Sequence, residues 1–320
     1  LCYSGGSNTT YRRCINNGDI TFTGSAANCA RFGGIIANVE TAAKTNIIEE
    51  CENHGDIVMN GTSSARTAGT ARFGGMFGQF TNGTVKVIGG FKNTGDITFS
   101  GNQNSTTGIS IGGIIGGSDG SATPVWSEWT GNIINEGKLS FTGTSQGGVY
   151  IGGITAYSSK GVLPTSPVKF INTGDIEFTG TTPSTASNLS GFAGTTVNAL
   201  DNVQVFCNIY APKFNGAAVG MITRLDRTAN KVQFTNAKVG GTICTSTTTT
   251  KTEDADGTEI EIVTDNIVTL DATNYFNYIY GTNPDWSTIE NYDGCTVITS
   301  KDQIDYTVNT PTVEETTPEA

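Results

Sequence analysis

The residues able to do chemistry fall into a few groups. Asp19, Asp56, Asp96 and Asp175 each close an Asn-x-Gly-Asp phrase, with Lys138 at the equivalent place in another copy. Carboxylates stacked in that way could line a calcium ridge, although turn chemistry alone also explains an Asp there. Asp254 and Asp256, with Gly257, resemble half of a calcium loop but lack the alternating ligands and closing glutamate of an EF-hand. Trp126 and Trp129 stand in the insertion 117–131, and Tyr275, Phe276, Tyr278, Tyr280, Trp286 and Tyr292 cluster near the C-terminus. Exposed rings of this kind contact sugars or proteins, so Trp126, Trp129, Tyr278 and Trp286 are the candidate binding residues. The structural alternative is that the tryptophans fold over an apolar surface and the C-terminal aromatics cap it.

Cys14 and Cys51 occupy the same column of adjacent repeats, which puts them within reach of a disulfide or makes them a ladder of buried thiols. The other cysteines (Cys2, Cys29, Cys207, Cys244 and Cys295) form no CxxC pair, and His54 is the single histidine, so the pattern does not suggest zinc. His54 falls at a variable turn position. Arg31 and Arg72 stand in equivalent places before a double glycine, as a surface column would. No acid–base or nucleophilic constellation stands apart from the repeat, and no catalytic residue is assigned.

The elements that must position these residues are repeats. The phrase recurs from Asn16, Asn53, Asn93, Asn135 and Asn172, with degenerate copies from Asn208 and Asn236; successive starts lie 37, 40, 42, 37, 36 and 28 residues apart. Ile20, Ile57, Ile97, Leu139 and Ile176 stand four places after the Asn, and Phe22, Met59, Phe99, Phe141 and Phe178 stand six places after it. Apolar residues at alternate positions make a strand with one face inward. A glycine marks the next corner, and a second strand carries a double glycine: RFGGIIA at 31–37, RFGGMFG at 72–78, SIGGIIG at 110–116 and YIGGITA at 150–156. A third short strand leads into the next Asn. The recurring Asn is expected to satisfy a backbone group at its bend and to bond to its neighbours along a stack.

These signals predict an all-β fold: a single-stranded, right-handed parallel β-helix solenoid of six to seven coils over 1–243. A C-terminal β cap or distorted final coils would follow over 244–308, and a disordered tail or linker over 309–320. The stretch 245–259 reads as a polar loop before strands at 259–263 and 266–270. A β-propeller is the rival architecture, since its blades repeat at similar length.

Lys and Arg number 18 against 29 Asp and Glu, a net charge of −11, which argues against nucleic acid as partner. No apolar run reaches the length of a membrane span. The chain opens inside glycine-rich β material, as a mature or excised chain would.

The GG-apolar-apolar-G core, as GGIIG at 112–116 and more loosely GGIIA at 33–37, GGMFG at 74–78 and GGITA at 152–156, resembles the GLUG-like glycine-rich repeats of secreted and surface proteins of Bacteroidetes. The likeness covers roughly 14–243. It implies an exported protein, extracellular or on the outer cell surface, with an adhesin-like or structural role and polysaccharide or extracellular protein as partner. It carries no catalytic residue across; from the residues themselves no cofactor is expected beyond calcium, at the Asp column or at Asp254 and Asp256. The other readings are a β-helix polysaccharide lyase or glycoside hydrolase and a calcium-stabilised propeller binding module.

Overall fold

A computed structural model describes residues 2–4, 8–26, 30–39, 44–63, 70–118, 125–157, 168–194, 199–216, 218–223, 233–256, 258–279 and 294–308. It is a parallel β-solenoid. Apart from one antiparallel pair, every pairing between the described strands is parallel, which excludes the antiparallel blades of a propeller.

The registers stack like on like. Ile57, Ile97, Leu139 and Ile176 form one column, and Met59, Phe99, Phe141 and Phe178 another. Phe99 and Phe141 lie with ring centroids 5.6 Å apart, and Phe141 and Phe178 at 5.1 Å, both near parallel. Each such ring is fully buried, worth about 1.5–3 kcal/mol of transfer from water. A six-stranded sheet holds the double-glycine strands, from Arg31–Gly33 to Ala218–Gly220.

About five turns are regular, fewer than the six to seven expected. The difference arises at the degenerate copies. Asn172 pairs with Val205, not Asn208, and Val205 with Val239, not with a residue at Asn236. The following strand keeps the apolar column by using Ile209 where Pro212 was expected, because Ile209 sits opposite Ile176. Asn208 therefore belongs to the Asp column. Asn202 and Asn236 instead take left-handed backbone angles, φ +55° and +54°, a conformation that asparagine tolerates better than most residues.

The polar stretch at 245–259 is not a loop. Ala237–Glu253 is one strand that runs across the 243/244 boundary, and it pairs antiparallel with Glu259–Thr269. Its first part is a rung of the solenoid, opposite Val203–Tyr210 on one side and Cys295–Val297 on the other. Its second part leaves the rod as an exposed two-stranded arm. β-Branched threonines explain why so polar a segment stays extended.

Two further elements close the C-terminal coils. The short helix Phe276–Ile279 offers carbonyls to the final double-glycine rung: the Met221 amide donates to the Tyr278 oxygen at 2.6 Å and the Ile222 amide to the Ile279 oxygen at 3.1 Å. Beyond Cys295–Val297, which pairs with Ala237–Val239, the segment 298–308 lies back over the outer face of earlier coils as a strap. Its Ile298 and Ile304 pack on the buried Ile171 of the coil beneath.

Candidate functional site

The solenoid turns most of the chemistry-bearing side chains into structure. The asparagines form a continuous buried ladder. Asn16 Nδ2 donates to Asn53 Oδ1 at 2.7 Å, Asn53 to Asn93 at 2.7 Å, Asn93 to Asn135 at 2.8 Å and Asn135 to Asn172 at 2.8 Å. The second amide hydrogen of Asn53, Asn93 and Asn135 goes to the carbonyl two residues on, at Gly55, Gly95 and Gly137. Asn53, Asn93, Asn135 and Asn172 are fully buried. Each amide thus holds its own bend and its neighbour's, as expected from the sequence.

The ladder also explains the double glycine. A Cβ at Gly75 would meet the Gly113 carbonyl oxygen at 2.4 Å and Asn93 Cγ at 2.5 Å; one at Gly113 would meet the Gly153 oxygen at 2.1 Å and Asn135 Cγ at 2.3 Å. The second glycine is therefore the space that the Asn fills. The third glycine has another reason: a Cβ at Gly116 would lie 2.5 Å from the Gly78 carbonyl oxygen and 2.6 Å from the main-chain nitrogen of Phe73, both backbone atoms of the preceding coil.

The aspartates are spent in a similar way. Asp19 Oδ1 accepts from the Asp56 amide at 3.0 Å, Asp56 from the Asp96 amide at 2.8 Å, Asp96 from the Lys138 amide at 2.7 Å and Asp175 from the Asn208 amide at 2.8 Å. These amide hydrogen bonds offset the crowding of like charges. Asp254 Oδ1 closes the arm's tip by accepting from the amides of Asp256 and Thr258, and both aspartates are exposed. No group of three or more His, Cys, Asp or Glu able to hold a metal occurs among the described residues.

The aromatic candidates separate. Trp129 is 4 % exposed, its Nε1 points to the Val85 carbonyl, and its ring tilts against Phe170. It is a core residue, and its ring offers no contact surface. The strand Val125–Trp129 stacks on Thr84–Val87, so this half of the insertion is a rung of the rod. Only the main chain of Trp126 is described, opposite Val85. Tyr278 is half-buried against the core at the cap, and Trp286 lies outside the described residues. The structure does not bring the four candidates into one site.

Arg72 is buried rather than part of a surface column, with its guanidinium 5.8 Å above the Tyr157 ring. His54 is exposed and bonds to Thr94 and Glu52, as turn decoration would. Cys14 and Cys51 are free thiols on stacked rungs. The Cys14 amide approaches Cys51 Sγ at 3.4 Å, and Cys51 Sγ donates to the carbonyls of Tyr11 and Glu49. Burial raises the Cys51 pKa, and Cys295 is pushed up to about 12 for the same reason, so neither is an activated nucleophile.

Sequence reasoning missed the strap and the first strand of the arm; the strands expected at 259–263 and 266–270 are one continuous strand, Glu259–Thr269. The strap is fixed by Lys169, whose buried Nζ reaches Asp305 Oδ2 at 2.5 Å and the carbonyl of Thr307 at 2.8 Å, and by Gln204, which accepts from the Asp305 amide at 2.7 Å. The Lys169 and Thr307 hydrogen bonds hold the Asp305 carboxyl well below the usual carboxylate range. A depressed carboxylate pKa stabilises the folded form above its ordinary value, and that contribution is lost as pH falls through the folded value. The strap is therefore expected to stay closed at pH 4 and to loosen only in stronger acid, while Asp305→Asn loosens it at every pH. Limited proteolysis within 299–308 across a pH series reads both.

The arm gathers exposed apolar surface. Ile260, Ile262, Val263 and Ile267 are 40–61 % exposed, and all lie on its second strand. Tyr210 stands beside it, its hydroxyl 3.4 Å from Asp265 Oδ1. Thr248, Thr250 and Thr252 pair with Thr264, Ile262 and Ile260, so these side chains share one face. The other face carries Glu253, Glu259, Glu261, Val263, Asp265 and Lys251. Lys251 bonds to Glu259 at 2.6 Å.

No described helix is long and apolar enough to cross a membrane. The fold and these surfaces define the chain as a β-solenoid with a projecting arm. A scan against protein-family models, a search of curated proteins and a search of solved structures each returned no match.

Proposed function

We propose that this protein is an exported, adhesin-like structural module of the cell surface, whose rigid rod displays projecting elements to glycans or extracellular proteins. One observation carries the reading. The repeated Asn, Asp and Gly are consumed by stacking, while exposed apolar side chains concentrate on an arm that contributes little to the core. Apolar side chains exposed on both faces of a projecting element leave it surface to bury against a partner. The likeness of the GG-apolar-apolar-G core to surface-protein repeats supports the exported setting.

The test is an array of polysaccharides and extracellular-matrix proteins. It is probed with the intact chain, with Trp126→Ala, and with a variant in which 246–266 is replaced by a short turn. Selective binding that the arm-less variant loses is the expected result. No binding, together with depolymerising activity on a uronate polymer, would overturn the reading in favour of an enzyme.

A further inference from the structure

We infer that the free edge of the arm's second strand, Glu259–Asp265, is a docking edge for an extended segment of another protein in which apolar and basic residues alternate. This rests on the reading of the arm as the display element and adds the chemistry of its partner.

Glu259–Thr269 pairs only with Ala237–Glu253, so its other edge is unpaired among the described residues. Proteins normally blunt such an edge with charged side chains, lysine above all, or with proline, a bulge or a covering element. The only charges on this strand are the carboxylates of Glu259, Glu261 and Asp265, which repel acidic strands but not a basic one. Here the strand EIEIVTDNIVT contains no Lys, Arg or Pro, and its residues from Glu259 to Ile267 are exposed. A hairpin with both faces in water is marginal on its own, and a third strand would give Ile260 and Ile262 a neighbour.

Charge selects that strand. Between 245 and 269 the arm carries Glu253, Asp254, Asp256, Glu259, Glu261 and Asp265 against Lys251 alone. Pairing two copies edge to edge would set carboxylates opposite carboxylates, which disfavours a second copy of this chain. The chain's own tail, TPTVEETTPEA, is acidic and fits no better. An incoming strand with alternating basic residues would place them beside Glu259, Glu261 and Asp265 on one face. Its apolar residues would lie beside Ile260, Ile262 and Thr264 on the other. Main-chain hydrogen bonds would supply affinity, and the alternation would supply specificity.

The probe is a blocked nonapeptide alternating valine and lysine, titrated into the full chain by fluorescence anisotropy. Saturable binding is expected, together with slowed hydrogen exchange in 259–265. Glu259→Lys/Glu261→Lys is expected to weaken it at least tenfold with thermal unfolding unchanged, since both side chains are exposed. The same peptide N-methylated at alternate residues keeps its charge but cannot pair, and is expected not to bind. Equal binding of the methylated peptide overturns the proposal in favour of plain electrostatics. Absence of peptide binding overturns it as well, and so does arm-mediated dimerisation that the peptide fails to compete. If the arm-less variant loses its array ligand while the peptide does not bind, only this proposal falls. If the arm-less variant keeps that ligand, the display reading falls.

Discussion

Gly113→Ala is expected to cost more than about 3 kcal/mol, enough to leave little of a typical domain's stability. The new Cβ would stand 2.1 Å from the Gly153 carbonyl oxygen and 2.3 Å from Asn135 Cγ. Neither can step aside. The oxygen belongs to the next coil's backbone, and the amide is bonded to Asn172 and Gly137. Relief would require two coils to separate, which opens the apolar stack beneath them. Gly18→Ala is the matched control: it is exposed and its nearest neighbour would be Asn16 Oδ1 at 3.9 Å, an ordinary contact, so a change within about 1 kcal/mol is expected. Denaturant unfolding of the two variants checks the difference.

Asn135→Ala should be nearly as severe, at about 3–6 kcal/mol. The substitution removes the donor to Asn172 Oδ1, the donor to the Gly137 carbonyl and the acceptor for Asn93 Nδ2, and it strands buried partners on both sides. Asn135→Asp should be worse. It keeps the shape but turns both donated bonds into repulsions between acceptors and buries a charge. Asn16→Ala, at a half-exposed position of the ladder, is expected to cost about 1 kcal/mol. The order Asp, Ala at 135, Ala at 16 is read from the midpoints of denaturant curves. Equal effects at 16 and 135 would mean that the amides are not bonded as a buried ladder.

The solenoid was legible because stacking forces identical environments onto residues about forty positions apart. Phe99, Phe141 and Phe178 must match because they touch, and the Asn and double-glycine columns must match because each fills the other's space. Such constraints repeat in the sequence. The degenerate coil departs from the phrase at Asn208: Val205 takes the place opposite Asn172 and Ile209 the place opposite Ile176, three residues earlier than the recurring Asn implies, while Phe214 still packs on Phe178 with ring centroids 5.1 Å apart. There the core's need for branched aliphatics outranked the recurrence of an Asn.

The surfaces outside the coils were harder to read. A run of threonines with one Lys resembles a loop in composition, and nothing local signals that a neighbouring strand, Glu259–Thr269, will hold it extended. The strap depends on Lys169 meeting Asp305 and Thr307 across 136 and 138 residues, a contact that no spacing rule anticipates. Trp129 was drawn toward function by its proximity to Trp126. In the fold it stands opposite the fully buried Val87 and turns its ring into the core.

Hydrogen exchange by mass spectrometry on the isolated chain tests most directly the division of labour between rod and arm. Amides in 84–99, 133–141 and 170–178 should exchange only through cooperative unfolding, and those in 246–266 by local opening orders of magnitude faster. An arm protected as strongly as the coils in the monomer would contradict the account, because it would make the arm part of the rod and leave no separate element to display.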